Sequence, residues 1–143
     1  MYRHRNSGIE VFLVHPGGPI WAKKDLGAWS IPKGELAADE KPLEAAKREF
    51  REETGFEPEG DFIDLGEVKQ AGGKMVAAWA FEGDCDPVHL RSGTFRMEWP
   101  PHSHRQIEAP EVDRGCWYSV LDARTKLLAG QRVFLDRLLA RIA

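Results

Sequence analysis

Three glutamates fall within five positions of this chain: Glu49, Glu52 and Glu53, in the run R-E-F-R-E-E over residues 48–53. On an α-helix, positions i, i+3 and i+4 share one face, with Cβ atoms roughly 5–6 Å apart. Like charges at that spacing repel, so a helix with such a stripe needs a counter-charge. A divalent cation supplies one. Oxygen-only donors suit Mg²⁺, Mn²⁺ or Ca²⁺ rather than zinc or copper.

Local signals place that stripe on a helix over 42–54. Pro42 suits the first helical turn, where a missing N–H costs least, and Gly55 suits the left-handed residue beyond the end. Leu43, Ala46 and Phe50 share one side and are expected to face the core. The glutamates centre roughly 100° away. Ala45 lies beneath them and leaves room for an ion. Lys47, Arg51 and Glu44 fall on the solvated side.

Around this helix the chain reads as a mixture of strands and helices. Residues 10–14 (E-V-F-L-V) form a short apolar run stopped by His15-Pro16-Gly17-Gly18-Pro19, a buried strand and its turn. Residues 29–32 read as a short strand, and 62–68, 74–81, 94–99 and 116–120 as further strands. Residues 99–114 are polar and proline-rich, which predicts an irregular loop. A helical turn or two is expected over 120–128, and an amphipathic helix over 131–142, with Val133, Leu135, Leu138, Leu139 and Ile142 as its apolar stripe. One α/β domain over 1–143 with a mixed sheet is the expectation.

Composition excludes several classes of function. A net charge of −3 over 143 residues gives no global attraction to nucleic acid or anionic lipid. An anionic substrate must therefore be captured by a local basic cluster and a metal. Cys85 and Cys116 lack metal-ligand spacing and read as buried thiols of a reducing compartment. No apolar run approaches the roughly 20 residues of a membrane helix, and the apolar segment near the start is too short for a signal peptide. A cytoplasmic protein with a small-molecule substrate, no nucleic acid and no membrane partner is expected.

The glutamate helix and its flanks resemble the box of the Nudix hydrolases, G-x5-E-x7-R-E-U-x-E-E-x-G-U, where U is bulky aliphatic or aromatic. Gly34, Glu40, Arg48, Glu49, Phe50, Glu52, Glu53, Gly55 and Phe56 occupy its nine fixed positions. The resemblance implies an αβα sandwich with a mixed β-sheet, the box forming a loop–helix–loop beside it. It also implies cleavage of a nucleoside diphosphate linked to another group, by water attacking phosphorus. Glu49, Glu52 and Glu53 would bind Mg²⁺, with Mn²⁺ as substitute, and the Gly34 carbonyl would be a further ligand. Arg48 would orient a box carboxylate, Glu40 would brace the loop through Arg48, and Gly55 would close the helix. Relatives place a further carboxylate on a later loop, which here is Glu111, with Glu108 as the alternative; Glu52 and Glu53 are the other candidates for the base.

The lead-in Trp29-Ser30-Ile31-Pro32-Lys33-Gly34 looks like the W-x-x-P-K-G of the diadenosine tetraphosphate hydrolases, with Lys33 as a phosphate contact. The tyrosine those enzymes carry beyond the box is replaced by Gly72 and Gly73, and the proline of ADP-ribose pyrophosphatases by Ala71. Met1, Tyr2 and Arg3 look like the tail of a shortened first strand. Trp21, Trp79 and Trp99 are candidates for stacking on a base, Trp99 first among them, and Arg105 is a candidate phosphate contact. Hydrolysis of a dinucleoside polyphosphate is the leading expectation. The alternatives are a nucleoside triphosphate pyrophosphohydrolase and a non-catalytic nucleotide-binding regulator.

Overall fold

A computed structural model of the chain describes residues 1–33, 39–70 and 72–142, so Gly34 and Ala71 lie outside the described residues. Its axis is β2, Gly8–Pro16. Apolar residues at consecutive positions of β2 require cover on both faces. Val11 and Leu13 enter one core layer with Leu65, Phe134, Leu135 and Leu138. Phe12 and Val14 enter the other, with Val112, Phe56, Leu90 and Trp117.

β2 pairs antiparallel with β1 (Tyr2–Arg5) and with β7 (Val112–Ser119), the latter ladder shifting register after His15. The short first strand is not an edge. The Tyr2 N–H donates to the Phe81 carbonyl and its carbonyl accepts from Gly83 N–H, both at 3.0 Å, and Tyr2 forms a parallel bridge to Glu82. That link joins the hairpin of β3 (Ile63–Lys69) and β4 (Met75–Ala80) to the sheet and makes it mixed. The helix α1 (Pro42–Thr54) packs on β4 and β7, α2 (Val120–Lys126) on β2 and β7, and α3 (Val133–Ile142) on β3. The result is the expected αβα sandwich.

Four local expectations are corrected. Residues 99–114 are not an irregular loop: β6 (Gln106–Pro110) pairs there with β5 (Thr94–Glu98), and β7 begins at Val112. Pro100 and Pro101 occupy the hairpin tip and Pro110 ends β6, so no proline interrupts the ladder. Residues 29–32 make only isolated bridges, Ser30 to Val14 and Trp29 to Leu127. α3 starts at Val133, because Ala129–Gln131 forms a 3-10 turn that buries Gln131. The Gln131 amide accepts from Ile31 N–H at 2.9 Å and donates to Ser30 Oγ at 3.0 Å, which holds the segment leading to Lys33. Finally, the fully buried residues of α1 are Ala45, Phe50 and Thr54. Leu43 and Ala46 are half-buried because they face a crevice rather than a packed wall.

Candidate active site

α1 stops at Gly55, whose φ of 77° is the left-handed region, and its N–H donates to the Arg51 carbonyl at 2.8 Å. The carbonyls of the last turn find partners outside the helix. Glu52 O accepts from Gly93 N–H and Thr54 O from Arg91 N–H, each at 2.9 Å. Gly93 O then accepts from Glu111 N–H at 2.9 Å, and Glu111 O from Gly17 N–H at 3.0 Å. Ser92 Oγ reinforces the strap by bonding both the N–H and the carbonyl of Val112. One relay of main-chain bonds therefore fixes Glu111 relative to the glutamate helix.

The Glu53 carboxyl is strongly perturbed. Burial pushes its pKa up to about 7, the Lys33 N–H at 2.6 Å opposes the shift, and the charges of Glu49 and Glu111 add to it. Glu49 and Glu52 are drawn to the Arg48 guanidinium, at 2.8 and 3.2 Å. Arg48 also grips Glu40 through two parallel N–H bonds of 2.9 and 3.0 Å, a bidentate fork. Glu40, Glu52 and Glu49 together hold the guanidinium above its ordinary pKa.

Glu49 and Glu111 thus both stand within electrostatic reach of Glu53, whereas the Glu52 side chain, 51% exposed, turns out toward Arg48. Among the described residues no three His, Cys, Asp or Glu side chains close around a cation position. The chemistry of the donors nevertheless fits a hard divalent ion. A carboxyl driven toward neutrality by burial and by its neighbours' charge is one that a cation would return to its ionised form.

Two cavities flank these groups. A crevice of about 880 Å³ opens between α1, the β3–β4 hairpin and β2, with Lys33, Leu43, Phe50, Trp79 and Leu128 among its walls. A slot of about 410 Å³ is lined by Gly17, Trp21, Phe95, Met97, Glu53 and Glu111. The contact of Lys33 with Glu53 connects the two. Trp99 and Arg105 line neither cavity: they bond to each other across the tip of the β5–β6 hairpin, Trp99 N–H to Arg105 O at 3.0 Å. That tip lies roughly 13 Å along the strands from the base at Thr94 and Pro110. Phe95 and Met97, rather than Trp99 and Arg105, stand beside Glu53 and Glu111. Glu108 stands in mid-strand opposite Arg96, exposed and outside the slot.

Two further positioning residues carry little sequence signal. His15 is fully buried and bridges the Lys24 carbonyl at 2.7 Å and Asp113 at 2.9 Å, tying the 17–28 segment to the start of β7. Gly17 is the second. A Cβ there would stand 2.0 Å from the Pro110 carbonyl oxygen, so any side chain forces the turn before Glu111 to move. Gly17→Ala is expected to destabilise the fold by about 1–3 kcal/mol, the usual cost of overpacking, as read from urea denaturation.

Over 55 residues the chain is 42% identical to a protein named RNA pyrophosphohydrolase from Xylella fastidiosa (strain 9a5c), a stretch that is 38% of this chain and 28% of that protein. A protein of the same name from Xanthomonas campestris pv. campestris (strain B100) is 44% identical over 55 residues, 38% of this chain and 26% of that one. The matched stretch is thus about a quarter of those relatives' length. Among solved structures, an Ap4A hydrolase binary complex from C. elegans superposes with a TM-score of 0.67 at 21% identity, covering 99% of this chain and 92% of that one. The NUDIX domain of Shewanella oneidensis NrtR, complexed with ADP ribose, superposes with a TM-score of 0.66 at 17% identity, over 99% and 83%. At those identities the likeness is one of fold. A match to the NUDIX domain model over residues 3–138, from β1 into the last turns of α3, joins this fold to the complete box, and the chain belongs to the Nudix family.

Proposed function

We propose that this chain is a Mg²⁺-dependent pyrophosphohydrolase, with Mn²⁺ as a substitute, that cleaves a dinucleoside polyphosphate of the diadenosine tetraphosphate class. The observation that carries the reading is the half-buried Glu53 carboxyl, held by the Lys33 N–H and raised in pKa beside Glu49 and Glu111. Perturbed carboxyls of this kind, sited in a cleft, mark sites of chemistry more often than sites of structure. The P-K-G lead-in and the fold shared with an Ap4A hydrolase support the substrate class.

In this reading Glu49, Glu52 and Glu53 would hold a divalent ion, with the Gly34 carbonyl as the further ligand that the resemblance implies, and the ion would supply charge neutralisation for pyrophosphate oxygens and a lowered pKa for the attacking water. The chain's own groups do the rest. Lys33 meets the phosphate chain, and its N–H holds Glu53 in place. Arg48, locked by Glu40, aims Glu49. Glu111 accepts the proton of the attacking water as the new P–O bond forms, while the bridging P–O bond breaks and its electron pair leaves with the departing phosphate. Little covalent chemistry is needed, so positioning and electrostatics supply most of the acceleration.

Arg48→Lys keeps the charge and loses the fork. It is expected to lower kcat 10- to 100-fold, the usual effect of removing the partner that orients a metal ligand, with the protein still folded by circular dichroism.

A second reading, removal of pyrophosphate from the 5′ end of an RNA, draws on the relatives named RNA pyrophosphohydrolase. A panel of diadenosine tetraphosphate, nucleoside triphosphates, ADP-ribose and a 5′-triphosphorylated oligoribonucleotide, with product identification, separates the readings. The dinucleotide is expected to give a kcat/KM at least tenfold above the rest, and excess chelator to abolish turnover. Equal turnover of all substrates would overturn the substrate class. No metal-dependent hydrolysis of any would leave the chain as a nucleotide-binding regulator.

A further inference from the structure

We infer that Gln131 is a positioning residue for the glutamate site: through Ile31 it sets where the Lys33 N–H meets Glu53. The inference rests on the reading above for what Glu53 then holds. The segment 27–33 reaches the site along a run of main-chain bonds. Gly27 N–H donates to Thr125 O and Trp29 N–H to Lys126 O, each at 2.9 Å, and Leu128 N–H donates to Trp29 O at 2.8 Å. Ser30 then exchanges both its main-chain bonds with Val14, each at 2.9 Å. Beyond Ser30 a side chain takes over. Pro32 has no N–H, so the donors left before the site are the N–H groups of Ile31 and Lys33. Lys33 N–H donates to Glu53 at 2.6 Å, and Ile31 N–H donates to the Gln131 amide oxygen at 2.9 Å. Proline holds its own φ at about −65° and confines the residue before it to extended backbone, so Ile31-Pro32 is a stiff link. A stiff link passes the orientation of the first N–H on to the second.

The Gln131 amide makes these bonds in one orientation only. Ser30 Oγ uses its single proton on the Ile31 carbonyl, at 2.6 Å, so toward Gln131 it can only accept. The amide nitrogen therefore faces Ser30 Oγ, at 3.0 Å, and the amide oxygen faces Ile31 N–H. The side chain is fully buried, where an amide without partners would be strongly unfavourable. Its own turn is held as well. Gln131 N–H donates to Leu128 O at 2.9 Å, and the Gly130 carbonyl accepts from Gln70 Nε2 at 3.1 Å. An apolar side chain of the same size would fill the same space. It would also leave Ile31 N–H without its acceptor and the Ile31–Lys33 link free to pivot about Ser30. The far end of that link is the Lys33–Glu53 contact, which is what separates a positioning role from packing.

Gln131→Met keeps the length and volume and removes both bonds, and two readouts other than turnover test it. In the metal-free protein the Lys33 amide proton, held 2.6 Å from a carboxyl, is expected far downfield by NMR. In Gln131→Met it should move upfield and exchange faster with solvent. Mn²⁺ binding without nucleotide, followed by the electron paramagnetic resonance of the free ion, is expected to weaken about tenfold, the scale of losing a partner that orients a metal ligand. That loss should run through Glu53. In a Glu53→Gln background, Gln131→Met should weaken Mn²⁺ binding by less than about twofold. Ser30→Ala removes only the group that orients the amide, and it should shift the Lys33 proton and Mn²⁺ affinity in the same directions by less. An unmoved Lys33 resonance in Gln131→Met, or in Ser30→Ala where the first variant does not fold, would overturn the inference. So would equal losses of Mn²⁺ affinity in the wild-type and Glu53→Gln backgrounds, the mark of a general structural effect. Wild-type protein that binds no Mn²⁺, with a Lys33 resonance that still depends on Gln131, would instead refute the metal-dependent reading and leave the positioning of Lys33 standing.

Discussion

Glu53→Gln is expected to cost about 10³-fold in kcat while making the metal-free protein more stable above pH 7. The catalytic loss follows from removing a charged metal ligand at the centre of a site that works by electrostatics, where even one neutral donor is commonly worth 10²–10³. The stability gain follows from the raised pKa. In the folded chain Glu53 titrates at about 7 rather than 4.5, chiefly because it is buried, so the folded state holds this proton more tightly than the unfolded state. Below about 4.5 both states are protonated and the group is no burden. As pH rises from 4.5 through 7, the unfolded state releases its proton first and stability falls, by on the order of 3 kcal/mol once 7 is passed. Glutamine carries no charge at any of these pH values, and its carbonyl oxygen still accepts from Lys33 N–H. In excess chelator at pH 8 the variant should melt several degrees above the wild type, and at pH 4 the two should nearly coincide. A variant less stable than wild type at pH 8 would show that the Glu53 carboxylate is paid for by contacts other than the cation.

The parts of this molecule that were legible in the sequence are those whose signals are local. Pro42 and Gly55 bracket α1 because each acts on its own backbone, and the helix runs between them as expected. The Arg48–Glu40 fork joins residues eight apart, at a spacing set by the box. What stayed hidden acts across long separations through groups with no side-chain pattern. The strap of Arg91, Ser92 and Gly93 works mostly through main-chain N–H and carbonyl groups, which R-S-G does not advertise. Gly17 sits in a proline-glycine turn that any reading accepts as a turn, yet its reason lies in the distant Pro110 carbonyl. β6 was obscured because prolines at the hairpin tip and at its end suggest an irregular segment, though none falls within the ladder. Without β6 as a partner, nothing in T-F-R-M-E marks Phe95 and Met97 as facing the carboxylates. The hairpin holds its base at the carboxylates and its tip, with Trp99, away from them.

Glu111→Gln should lower kcat 10²- to 10⁴-fold with KM nearly unchanged, and Glu108→Gln should stay within about twofold of wild type. The contrast is decided by position. Glu111 lies in the single-residue turn between β6 and β7, lines the slot with Glu53, and adds its charge to the forces that raise the Glu53 pKa. Glu108, in mid-strand opposite Arg96, is exposed and outside the slot. The substitution is clean because Glu111 is anchored by its backbone: its N–H to Gly93 and its carbonyl from Gly17 are untouched by a change at the side-chain tip. A fall in kcat therefore reports the carboxylate and not the turn. The pH profile separates proton transfer from a merely electrostatic role. Without its base the variant depends on hydroxide, so log kcat should climb with pH across a range where the wild type is flat. A variant that is slow but equally flat would leave Glu111 as a charge that tunes Glu53 and would pass the proton to Glu53 or Glu52. Since Glu52 faces Arg48 and Glu53 is already engaged by Lys33 N–H, such a transfer would require α1's carboxylates to rearrange when the cation binds.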